Sequence, residues 1–182
     1  STIIFDHYGL IAGFNSREAV DIVTTPNGMV WASSNDGLAR FDSKRFKFYK
    51  HIEGDSLSLS NNYCQALATD KRGLIWIRSD DNLDVFNPTT GQFFHVTLPD
   101  GKGNKMPVYP RRFVYDSTAD IMWVATAKGL FFSRKGALAL QSISNLSSDI
   151  LLATSHIGAM VTDGANVIWV TVGNQIVRLN TK

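Results

Sequence analysis

Cysteine is almost missing from this sequence: Cys64 stands alone among 182 residues. One thiol excludes an internal disulfide and any cysteine-built metal cluster. A thiol-poor chain suits the cytosol and a bacterial periplasm equally, so cysteine usage leaves the compartment open. Long apolar runs are missing too. No stretch approaches the roughly 18 residues of a membrane span, so no membrane contact is expected within the chain. Ser1–Asp6 has neither the basic region nor the apolar core of a secretory signal, and reads as the middle of a pattern. Clustered charge is also lacking: 18 Lys and Arg against 16 Asp and Glu give a net charge of +2, scattered along the chain. Nucleic-acid binding calls for a basic face, so none is expected. Gly-x-Ser-x-Gly, HExxH and Gly-rich phosphate loops do not occur, and neither enzymatic activity nor a cofactor is expected of the chain itself.

What is present is a globular composition, 44% hydrophobic and 19% charged, long enough for one domain with a sizeable core. Within it one pattern recurs. Trp31, Trp76, Trp123 and Trp169 are 45, 47 and 46 residues apart. Three positions before each stands Gly28, Gly73, Asp120 or Asn166, residue types that tolerate the positive φ of a tight turn. Two apolar residues follow before each Trp, as in Leu74-Ile75-Trp76, and read as strands buried on both faces. Seven residues after each Trp a second run opens, with Leu38, Leu83, Leu130 and Ile176.

A strand is predicted before each turn, over 20–24, 66–69, 113–115 and 159–162. A further outer strand is predicted over 45–49, 91–96 and 137–143. Each unit is then an antiparallel meander of four strands in about 45 residues, within the range of propeller blades. The expected fold is all-β, with blades over about 18–50, 63–96, 111–143 and 157–181. Residues 2–8 are expected as an outer strand of the closing or a preceding blade. Flanked by Val, Ile or Met, the four tryptophans are expected to fill the core between blades rather than to form a sugar-stacking row.

The residues also carry a resemblance. Asp55-Ser-Leu-Ser-Leu-Ser-Asn-Asn62, with Asp70-Lys-Arg-Gly73-Leu-Ile-Trp76, resembles the two-component regulator propeller repeat. Asn35-Asp-Gly37-Leu38-Ala-Arg-Phe41 and Ala127-Lys-Gly129-Leu130 look like its second half. The resemblance implies a fragment of a larger, seven-bladed propeller in the extracytoplasmic sensor region of a hybrid two-component regulator. It further implies a periplasmic location, an oligosaccharide ligand and relay of binding to a histidine kinase. Neighbouring blades or a second protomer are the expected protein partners. A propeller scaffold for protein–protein interaction, and a fragment of a propeller polysaccharide lyase, stay open as alternatives.

Function is best sought where the repeat breaks. Two positions after Trp76 stands Arg78, where the repeat has glycine, with Asp80 and Asp81 close behind. A local ion pair between Arg78 and one of these aspartates is one expectation; a polar ligand contact is the other. The connection over 98–112 is longer than its counterparts and carries Tyr109, Arg111 and Arg112. In a four-stranded blade this connection and the turn after Arg78 share one face. Arg78, Asp80, Asp81, Tyr109, Arg111 and Arg112 are therefore the candidate ligand-binding set, with aromatic faces for sugar rings and charged forks for hydroxyls or carboxylates. The residues at 7, 51 and 95 are all histidine, but fall at the outer ends of different units, too far apart to share a metal. His156 and the segment 144–157 are assigned no role.

Overall fold

The computed structural model describes residues 2–99, 105–146, 152–153 and 155–181. These residues form an all-β chain of 17 strands with two short 3-10 turns. The first sheet holds β1 (Ala19–Thr24), β2 (Val30–Ser34), β3 (Gly37–Phe41) and β4 (Phe46–Tyr49). The second holds β5 (Cys64–Thr69), β6 (Ile75–Ser79), β7 (Asn82–Asn87) and β8 (Gln92–Val96). A two-stranded ladder, β9 (Leu98–Pro99) with β10 (Lys105–Met106), follows; residues 100–104 between them lie outside the described residues. The third sheet comprises β11 (Pro110–Asp116), β12 (Ile121–Thr126), β13 (Gly129–Arg134) and β14 (Gln141–Ser142). The fourth has three strands: β15 (Ile157–Thr162), β16 (Val167–Val172) and β17 (Gln175–Asn180). Every sheet is an antiparallel meander in chain order.

The turns explain the spacing. Gly28, Gly73, Asp120 and Asn166 all adopt positive φ, at 80°, 79°, 56° and 64°, between the first and second strand of each sheet. At the next turn Gly37 has φ of 115°, and a Cβ there would stand 2.4 Å from the Tyr49 carbonyl oxygen. Only glycine fits that approach. Each first strand also carries a bulge near its start, between Ala19 and Asp21, Cys64 and Ala66, Pro110 and Arg112, and Ile157 and Met160.

Alternation along the strands builds three cores, one between each successive pair of sheets. Trp31 faces the second sheet and packs with Leu67, Ile75, Ile77 and Phe86. Trp76 faces the third, with Val85, Met122 and Val124. Trp123 faces the fourth, with Leu130, Phe132, Ile168 and Val170. Within β6, Ile75 and Ile77 serve one core and Trp76 the other. The first strands also link neighbouring sheets directly: the Leu67 amide donates to Asp21 Oδ2 at 2.8 Å, and Thr69 Oγ1 to the Thr24 carbonyl at 3.1 Å.

Three expectations are corrected. Trp169, expected in the core, is 39% exposed, because among the described residues no sheet packs on its face. Residues 2–8 form no strand: Ile3, Ile4 and Phe5 are exposed, and Tyr8 rests on Phe41 with ring centroids 4.5 Å apart. The outer strand predicted over 137–143 shrinks to Gln141–Ser142, since Lys135 and Gly136 turn the chain with φ of 55° and 69°.

Candidate functional site

The second sheet departs from its neighbours at one end. In the first and third sheets the turn after the Trp strand closes on a hydroxyl: Ser34 Oγ donates to the Gly37 carbonyl, and Thr126 Oγ1 to the Gly129 carbonyl. In the second sheet the equivalent Ser79 hydroxyl is diverted to the Asp84 carboxylate, and Asn82 stands where the glycine would be. The turn is instead carried by Asp80, at φ 56°, and Asp81.

Two connecting segments dock on this turn from either side. The Asp80 amide donates to the Tyr63 carbonyl at 2.9 Å, and the Tyr109 amide donates to the Asp81 carbonyl at 3.0 Å. Tyr109 itself adopts φ of 51°. Tyr63 and Tyr109, each bonded to this turn through its backbone, are 43% and 39% exposed. Arg78 Nε donates to the Asp80 carbonyl at 3.4 Å, not to a carboxylate; the expected ion pair is replaced by this backbone contact.

The structure therefore brings Arg78, Asp80, Asp81 and Tyr109 together. Arg111 is the bulged residue of β11, exposed, and its side chain has no partner among the described residues. Arg112 leaves the group: its Nε donates to the Gly158 carbonyl at 2.8 Å and ties the third sheet to the fourth. Tyr63 is absent from the residues singled out by sequence. Its place just before Cys64, in the segment facing the same turn, is the signal that would have found it.

Beneath the turn lies a buried polar centre that the repeat pattern does not announce. Asp84 is 0% exposed. Its carboxylate accepts from the Ser60 amide (3.0 Å), the Ser60 hydroxyl (2.6 Å), the Ser79 hydroxyl and His95 Nδ1 (2.7 Å). His95 Nε2 donates to the Ser56 carbonyl at 2.8 Å. Both ring nitrogens thus face acceptors, and the Asp84 carboxylate holds the His95 pKa above its ordinary value. Serine, histidine and aspartate form no catalytic triad here: Nε2, which a serine hydrolase aims at its nucleophile, is spent on a backbone carbonyl. The arrangement clamps residues 56–60 onto the second sheet. His51 acts alongside, with Nδ1 2.7 Å from the Leu59 carbonyl oxygen.

A second electrostatic joint sits at the opposite strand ends. Asp120 accepts a two-pronged bond from Arg72, at 2.8 and 2.5 Å, and one from the Tyr115 hydroxyl at 2.8 Å, with Lys71 at 3.1 Å. Arg72 beside it holds the Asp120 carboxyl well below the usual range, while burial, helped by the bond to Asp120, pushes Tyr115 up to about 12. Among the described residues no group of three His, Cys, Asp or Glu side chains is placed to hold a metal.

The fold has solved counterparts. The extracellular domain of the hybrid two-component system BT3049 from B. thetaiotaomicron superposes with a TM-score of 0.76 and 17% identity, over 97% of this chain and 25% of that one. The chain shares its fold with extracellular domains of hybrid two-component systems. A second such domain, BT4673 from the same organism, gives a TM-score of 0.63 at 23% identity, over 89% of this chain and 23% of that one. PorZ, a surface component of the type-IX secretion system of Porphyromonas gingivalis, gives 0.61 at 15% identity, over 91% and 26%. In sequence, 60 residues are 33% identical to histidine kinase P4 of Formosa agariphila, covering 33% of this chain and 4% of the kinase. No family model matches the chain. The chain thus spans about a quarter of these solved domains and a small part of the kinase. Among the described residues no helix is long and apolar enough to cross a membrane.

Proposed function

We propose that the chain is a ligand-sensing extracytoplasmic module of a hybrid two-component regulator, and that it recognises an oligosaccharide on the face of the β6–β7 turn. In this reading the four sheets are consecutive blades of a larger, seven-bladed propeller in the periplasm. Further blades cover the open faces at Ile22 and Trp169, and ligand binding is relayed to a histidine kinase. The observation that carries the reading is the turn itself. It is the one turn of its kind among the described residues built from two aspartates, and it is hydrogen-bonded to the backbones of Tyr63 and Tyr109, both exposed, with Arg78 bonded to its Asp80 carbonyl. Phenol faces suit the C–H faces of sugar rings, and carboxylates and a guanidinium suit their hydroxyls. The fold shared with sensor extracellular domains supports the reading from the other side.

Relay requires that the ligand bind two states of the regulator with different affinity. The test is calorimetry of the protein against a panel of neutral and acidic oligosaccharides. One of them is expected to bind, and Arg78→Ala to weaken it about tenfold, the effect of losing one charged hydrogen bond. Binding that this variant leaves unchanged would overturn the choice of face.

A further inference from the structure

At the strand ends opposite the β6–β7 turn, a cleft of about 220 Å³ opens between the first and second sheets. Pro26, Met29 and Pro88 form its apolar walls, Trp31 lies at its floor, and Arg40, Lys71 and Arg72 reach into it. Its volume is below the roughly 300–1,000 Å³ of pockets for drug-sized ligands, and suits a single sugar ring or a small ion.

Arg40 lies on β3 opposite Trp31, where the second sheet has Val85 and the third has Phe132. In the fourth sheet the same place holds Arg178, which rests over Trp169 at 5.9 Å. Arg40 instead lines the cleft. Its Nε is buried and has no acceptor, and no carboxylate lies within ion-pair distance of it among the described residues. Asp42, two positions on, accepts from the amides of Lys44 and Arg45 in its own turn. Asp70 likewise spends Oδ1 on the amides of Arg72 and Leu74, and its Oδ2 stands 3.8 Å from Arg72. Across the cleft Lys71 and Arg72 share the single carboxylate of Asp120.

A buried guanidinium nitrogen without an acceptor is costly, and the cost falls when an acceptor enters. We propose that this cleft is an oxyanion site, binding one carboxylate or sulfate group between Arg40 and the Lys71–Arg72 pair. The apolar walls accommodate a sugar ring that carries such a group. The site is separate from the face of the β6–β7 turn.

Thermal melts of the protein with sodium sulfate, sodium glucuronate or glucose, at ionic strength held constant with sodium chloride, test it. Sulfate and glucuronate are expected to raise the midpoint saturably, and glucose to leave it unmoved. Half-saturation by glucuronate well below that by sulfate means that the ring contributes, and equal values mean that the anionic group suffices. Arg40→Gln is expected to raise the half-saturating concentration at least about tenfold. Arg40→Lys, which keeps the charge and loses the fork, serves the same end if the first variant fails to melt cooperatively. No saturable shift with either anion, or a shift that survives the Arg40 substitutions, would overturn the proposal.

Discussion

His95 shows how a single side chain ties a connecting segment to a sheet. Its Nδ1 meets the buried Asp84 carboxylate and its Nε2 meets the Ser56 carbonyl, so the ring serves the fold best when it is protonated. The His95 pKa is raised, chiefly by the bond to Asp84 and against the opposing effect of burial. Its contribution is therefore complete below the ordinary imidazole value and is lost as the pH rises through the raised one. Melting curves of the protein and of His95→Gln should differ more at about pH 5.5 than at about pH 8.5, on either side of the ordinary value near 6.5. A difference that is constant over that range would remove the charged ring from the account. None of this was legible from the sequence. Asp84 follows Leu83 as one polar residue in an apolar run, and its partners lie 24 and 11 residues away at Ser60 and His95. Arg78 illustrates the opposite case. As the residue that breaks the repeat it is visible in the sequence, but its bond to the Asp80 carbonyl rather than to a carboxylate belongs to the folded turn.

The elements were largely legible, because each strand is bounded by residues whose backbone chemistry announces a turn. Gly28, Gly73, Asp120 and Asn166 share nothing but their tolerance of positive φ, and all four use it. The tryptophan strands followed from apolar runs that serve two cores at once. The outer elements were less legible: β14 is two residues long and residues 2–8 form no strand, since an outer strand has only one neighbour to define it. The same logic sets the weight of each tryptophan. Trp76 is 0% exposed between two sheets, and Trp76→Ala should cost about 3–5 kcal/mol in chemical denaturation. Trp169, 39% exposed, should cost about 1 kcal/mol by the same substitution, because much of its surface is already in water. Equal costs would mean that something covers the last sheet. In a longer protein that contains a following blade, the Trp169 cost should rise toward that of Trp76.

At the scale of the molecule, three apolar cores are strung between four sheets, and polar joints sit at both rims. One rim carries the Arg72–Asp120 fork and the Arg40 cleft; the other carries the two-aspartate turn, its flanking tyrosines and the His95 clamp below. The repeat supplies the frame, and the chemistry gathers where the second sheet departs from it. Four of the six residues singled out in the sequence meet there, because the connections on that face converge on one turn; Arg112 is drawn off to β15 by a carbonyl 46 residues away. The direct test is the affinity of the oligosaccharide that binds best, measured by calorimetry for the protein and for Tyr109→Ala. Sugar–aromatic stacking draws on contacts across the ring face, and loss of one such ring should weaken binding at least about tenfold. An unchanged affinity, with the variant's melting midpoint also unchanged, would contradict a ligand site at the β6–β7 turn.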